Sequence, residues 1–124
     1  MELGCDEVGL SDTTGSANPH QLRRMIKAVK AEVGDGNLAA VHLHNTRGLG
    51  LANALVALEE NIFTFDSSLG GLGGCPAAPG ASGNIVTEDL VFMFDAMGVR
   101  TGINLDKLMT VSYTHLTLPT IYSV

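Results

Sequence analysis

Three stretches of this chain read as short apolar strands, and each is followed by a segment with helical spacing. The first strand is expected over Cys5–Ser11, ending in Thr13-Thr14-Gly15, with Val8, Leu10 and Asp12 on one face by the two-residue period. Asn18-Pro19 then offers an N-cap and a first helical position. Leu22, Met25, Ile26, Val29 and Val33 follow at helical spacing up to Gly34. The second strand is LAAVHLH, Leu38–His44, and its apolar run is that of a buried parallel strand. Leu51, Ala54, Leu55 and Leu58 mark a second helix ending at Asn61, and Ile62–Ser67 is the third strand. Thr87 caps a third helix with Glu88 and Asp89 in its first turn and Leu90, Val91, Phe94 and Met97 on its apolar face. A shorter helix starts after Asn104 and includes Leu105 and Leu108, while Met1–Gly4 reads as the last turn of a preceding element. Strand–helix alternation with short connections leaves few folds: right-handed βαβ units, hence an α/β class with a parallel sheet. Three strands with helices on one side do not close a core. The chain is therefore part of a doubly wound sheet or of a (β/α)₈ barrel, for which about 250 residues is typical.

Between the third strand and the third helix lies LGGLGGCPAAPGASG, Leu69–Gly83, with six Gly and two Pro in fifteen residues. Gly weakens both helix and strand and Pro removes a backbone donor, so this is a long loop. It presents Cys75 between Gly74 and Pro76. A loop of this length carrying a reactive side chain reads as a mobile working part more than as a linker.

The formal charge of −6 argues against nucleic acid as a partner. No apolar run reaches the roughly 18 residues of a membrane span, and no signal peptide is visible after Met1. Cys5 and Cys75 do not make a disulfide framework, which fits a reducing, cytoplasmic setting.

Asp12, His42, His44 and Asp66 all fall at carboxyl ends of strands, the end that carries chemistry in parallel α/β folds. His42 and His44, two apart on a strand, point the same way and can share a divalent metal. The alternative is one buried, hydrogen-bonded imidazole beside a polar strand end. Asp12 can orient water or substrate, or close an Asx-turn to the Thr13-Thr14 backbone. Asp66 can be a buried network residue. Asn84 can ligate a metal or form a turn. Cys75 is the one nucleophile-grade side chain in a flexible setting. The basic run Arg23, Arg24, Lys27, Lys30 is a solvated helix face. The Gly-rich loop lacks the Gly-Lys-Ser/Thr ending of a phosphate-binding loop.

SDTTG, VHLHNTRG, LANALVALE, FDSSLGGLGGCPAAPGASGN and TEDLVFMFDAMG resemble the bacterial hydroxymethylglutaryl-CoA lyases of the metal-dependent TIM-barrel lyase superfamily. The likeness runs from about residue 2 to 109. The GGLGGCP loop followed by ASGN is specific to that family. The H-x-H strand alone is shared with the isopropylmalate, citramalate and homocitrate synthases, which lack a loop Cys in this context. The resemblance implies that His42, His44 and Asn84 ligate Mg²⁺ or Mn²⁺, that Cys75 is the catalytic cysteine of a closing flap, and that Asp12 is the strand-end acid beside the metal. It implies an acyl-CoA substrate and retro-Claisen cleavage of 3-hydroxy-3-methylglutaryl-CoA to acetyl-CoA and acetoacetate. Asp12 or His42 would serve the base side and Cys75 the enolate. A Claisen-condensing synthase and a catalytically dead barrel fragment are the alternatives. The full-length enzyme would form a family-like homo-oligomer.

The family's Arg-Asp-Gly segment, which supplies a fourth metal ligand and an enolate-stabilising Arg, has no counterpart here. The chain is expected to be the carboxyl-terminal part of the barrel, its last three βα units, inactive alone and with exposed sheet edges that invite aggregation. Thr110–Val124, TVSYTHLTLPTIYSV, departs from the helical pattern after Leu108 and resembles the translation of a sequencing-adapter remnant. It is expected to be a non-family, artefactual or disordered tail to the 1–109 domain.

Overall fold

The computed structural model describes residues 4–76 and 78–117. Asn18 starts α1 (Pro19–Val33) with a reciprocal capping box. Its side chain accepts from the Gln21 N–H at 3.0 Å, and the Gln21 side chain accepts from the Asn18 N–H at 3.1 Å. Pro19 stands where its missing donor costs nothing. Gly34 ends the helix at φ 92°, donating to the Lys30 carbonyl.

Three strands, β1 (Val8–Asp12), β2 (Leu38–Leu43) and β3 (Thr64–Asp66), form a parallel sheet in that spatial order. Leu10 pairs with Val41 and Val41 with Phe65; one position on, Ser11 pairs with His42 and His42 with Asp66. Because side chains alternate, the first row packs into the core, while Ser11 and Asp66 lie exposed and His42 half-buried on the opposite face. The helices α1, α2 (Gly50–Glu59) and α3 (Thr87–Ala96) cover the first face. Leu22, Ile26, Val41, Leu43, Ala54, Ala57, Leu90 and Phe94 form one cluster there, with Ile26, Leu43, Ala54 and Ala57 fully buried. Arg23 of α1 bridges to Glu59 and Glu60 at the end of α2, fixing how the two helices lie together. β1 and β3 are the sheet's edges. Among the described residues no helix is long and apolar enough to cross a membrane.

Strand ends shift by a residue or more from the sequence expectation. Thr87, expected to cap the third helix, is its first residue behind Val86 and makes no cap bond. Three differences have a clear cause. β1 begins at Val8, leaving Cys5 exposed before it. Asn61, at φ 60°, turns the chain so that Ile62 is buried ahead of β3 and not within it. The third difference is a correction: α4 (Leu105–Thr117) does not stop after Leu108. Thr110 and Thr114 satisfy their hydroxyls on carbonyls four residues back, and Ser112 is buried against α3, donating to Glu88. That tertiary contact overrides the weak helix preference of Thr, Val and Tyr. Met1–Leu3 and residues 118–124, on which the reading of a preceding helical turn and the last seven of the fifteen tail residues fall, lie outside the described residues. Residues 110–117 of that tail are helical and not disordered.

Candidate metal centre and its loop

The carboxyl end of β2 delivers two imidazoles to one point. His42 Nε2 and His44 Nε2 stand 3.1 Å apart, with ring centroids 5.0 Å apart and planes inclined at 63°. The outer nitrogen of each ring is occupied. His42 Nδ1 lies 3.2 Å from Asp66 Oδ2, and His44 Nδ1 lies 3.0 Å from the Ser82 carbonyl. A carbonyl and an ionised carboxylate can only accept, so both Nδ1 atoms carry their ring's proton when the rings are neutral. Two Nε2 lone pairs then face each other at hydrogen-bond distance. That arrangement is repulsive unless a proton or a cation lies between them.

From the loop's far end the backbone brings Asn84 alongside His44. His44 and Asn84 form an antiparallel bridge, flanked by Asn45 N–H donating to Gly83 O and Ile85 N–H donating to Leu43 O, both at 3.1 Å. This is the non-hydrogen-bonded type of pair, in which facing side chains come closest, with Cβ atoms roughly 4.5–5.5 Å apart. Asn84 Nδ2 donates to the Leu72 carbonyl at 3.0 Å, which fixes the amide's orientation. Asn84 Oδ1 is buried with no hydrogen-bond partner. A buried acceptor without a donor costs about 1–3 kcal/mol unless something electropositive meets it.

These donors fit a divalent cation. Nitrogens on adjacent corners of an octahedral site with bonds of about 2.1 Å stand roughly 3 Å apart, the separation seen between the two Nε2 atoms. Each ring also has the outer hydrogen bond that orients ligating histidines. Among the described residues no three His, Cys, Asp or Glu side chains gather into such a cluster.

The Gly-rich loop closes on itself above this pair. Ser68 N–H donates to Ile85 O and Thr87 N–H to Ser68 O, tying its two ends. Gly70 N–H donates to both carboxylate oxygens of Glu88 at 3.1 Å. Ser82 N–H donates to Thr46 Oγ1, joining the return leg to the turn after β2. Cys75 sits half-buried at the tip as a free thiol, and its carbonyl accepts from Ala78 N–H.

The chain matches the HMGL-like family over residues 1–114. It belongs to the HMGL-like family. The hydroxymethylglutaryl-CoA lyase of Bacillus subtilis is 47% identical over 110 residues, 89% of this chain and 36% of that protein. The human mitochondrial hydroxymethylglutaryl-CoA lyase is 50% identical over 107 residues, 86% of this chain and 33% of that protein. Among solved structures, an HMG-CoA lyase from Acinetobacter baumannii in complex with coenzyme A and 3-methylmalate superposes with a TM-score of 0.84 at 52% identity, covering 91% of this chain and 37% of that one. The chain thus spans about a third of the length of these relatives, and its parallel α/β sheet matches part of their barrel.

Of the residues singled out from the sequence of this HMGL-like chain, His42 and His44 meet through their Nε2 atoms, and Asn84 is paired with His44 through the backbone. Asp12 does not join them directly. It pairs in register with buried Leu43, on the alternate parity to His42, and its carboxylate accepts from Ser16 and Ala17 N–H at 3.2 and 3.1 Å. Asp66 is exposed and not the buried network residue that the sequence suggested, and it bonds His42. Glu88 and Ser82 were missed. Glu88 read as a helix-dipole residue, yet it lies three residues before buried Val91 on one helix face. Ser82 acts through its backbone carbonyl, for which side-chain identity carries no signal.

Proposed function

We propose that this chain is the carboxyl-terminal three βα units of a hydroxymethylglutaryl-CoA lyase, which cleaves 3-hydroxy-3-methylglutaryl-CoA to acetyl-CoA and acetoacetate. The observation that carries the reading is the facing His42 and His44 Nε2 atoms, 3.1 Å apart, in backbone register with an Asn84 carboxamide whose oxygen has no partner. His42, His44 and Asn84 would hold Mg²⁺ or Mn²⁺; the cation, when bound, polarises the substrate's hydroxyl and carboxylate oxygens and so acidifies the hydroxyl. Of the two candidates for the base, Asp12 takes the hydroxyl proton as the carbon–carbon bond breaks, because a His42 protonated on Nδ1 and holding the cation through Nε2 has no free lone pair. The electron pair of that bond leaves on the acetyl-CoA fragment as an enolate. Cys75, on the loop tip, supplies a proton to its carbon, while the closed loop keeps water out. Two free cysteines suit a reducing compartment such as the cytoplasm.

The upstream barrel brings the remaining metal ligand and the enolate-stabilising Arg, so the 124-residue chain is inactive alone. The test is complementation. Joining this chain to an upstream segment that carries five βα units and the Arg-Asp-Gly sequence should restore Mg²⁺- or Mn²⁺-dependent acetoacetate release, and Cys75→Ala should lower kcat at least tenfold. Turnover by the isolated chain, or undiminished turnover without the thiol, contradicts the corresponding part of the reading.

A further inference from the structure

The register of the sheet, and not the loop, sets the orientation of His42. His42 and Asp66 are paired residues on β2 and β3, and their side chains emerge on the face that the helices leave uncovered. Asp66 Oδ2 stands 3.2 Å from His42 Nδ1. With 62% of its side chain exposed, Asp66 contributes little packing, so this contact is its main engagement. His44 is held differently: its Nδ1 meets the Ser82 backbone carbonyl, which no side-chain substitution removes. We propose that Asp66 is a positioning residue that keeps the His42 proton on Nδ1 and thereby turns the Nε2 lone pair toward His44 and the shared cation. Where this concerns the cation, it rests on the functional reading above. A carboxylate behind a ligating imidazole fixes the tautomer and raises the ligand's basicity, and losing such a partner costs about 10–100-fold in metal affinity.

The test uses the full 124-residue chain labelled with ¹⁵N-histidine. Long-range ¹H–¹⁵N spectra of the metal-free protein should show His42 as the Nδ1–H tautomer. Asp66→Ala should move His42 toward Nε2–H and leave His44, the internal control, unchanged; Asp66→Glu should restore it. Mn²⁺ affinity, read by the loss of the free-ion electron paramagnetic resonance signal, should fall about 10–100-fold in Asp66→Ala and recover in Asp66→Glu. An unchanged His42 tautomer in Asp66→Ala overturns the proposal, as does unchanged Mn²⁺ affinity in a chain that binds the ion. A wild-type chain that takes up no Mn²⁺ while its His42 tautomer follows Asp66 counts against the metal reading and for the positioning role.

Discussion

Gly83 lies so close to Gly71 across the base of the Gly-rich loop that a Cβ on Gly83 would sit 1.6 Å from the Gly71 carbonyl oxygen. The two legs of the loop touch backbone to backbone there, one residue before Asn84. No side chain fits between them, so this glycine is required by contact and not by its backbone angles.

Gly83→Ala should therefore push the legs apart, costing about 1–3 kcal/mol as an overpacked site. It should also free the Ile85 amide, which now donates to Leu43. Amide hydrogen exchange at Ile85 and Asn45 would read the change. Gly80→Ala is the control: its φ of +81° strains an alanine, but nothing lies within 4 Å. It should cost about 1–2 kcal/mol and leave Ile85 protected.

Glu88 gives the loop its second anchor and a pH dependence. Burial by itself pushes its carboxyl up. Hydrogen bonds from Ser112, from its own backbone N–H and from Gly70 outweigh that and hold the value below the ordinary 4.5. The folded state thus binds fewer protons than the unfolded one near that pH. The stabilisation is complete above about pH 4.5 and is lost as the pH falls through the lower folded value. The gap in urea midpoint between wild type and Glu88→Gln should be widest at pH 6 and shrink as the pH is lowered below 4.5. At pH 6, Glu88→Ala should lose about 1–3 kcal/mol, because the donors of Gly70 and Ser112 are left unpaired.

Leu43 is fully buried between His42 and His44 in sequence, and it alone of the three points into the helix layer. Leu43→Ala should destabilise the chain by about 2–5 kcal/mol through the cavity it leaves, measured by chemical denaturation. Met25→Ala on α1, half-exposed at 52%, should cost less than half as much. Equal losses at the two positions would contradict the one-sided core.

The βαβ order was legible because each strand is a short apolar run and each helix has a capping or breaking residue, as at Asn18-Pro19 and Gly34. The His42–His44 pair was legible because a two-residue spacing on a strand fixes a shared face. What could not be read was anything set by register between elements. The Asp66 contact needs β2 and β3 aligned to the residue. The inward turn of Glu88 goes with its contacts to Gly70 and Ser112, and the length of α4 with the Ser112 contact, neither of which local propensity encodes. Asp12 ended a strand as expected, but its carboxylate is taken up by the N–H groups of Ser16 and Ala17. The sequence had offered an Asx-turn on the Thr13-Thr14 backbone as the alternative, and the carboxylate reaches past it to the next two residues after Gly15.

The central claim is that His42, His44 and Asn84 share one divalent cation, and electron spin-echo envelope modulation of Mn²⁺ bound to the full chain tests it most directly. Modulation from two directly coordinated imidazole nitrogens is predicted. It should fall to one nitrogen in either His42→Ala or His44→Ala, with Asn84→Ala keeping both couplings but binding Mn²⁺ at least tenfold more weakly. Mn²⁺ spectra without directly bound nitrogen, or unchanged in the two histidine variants, would contradict it.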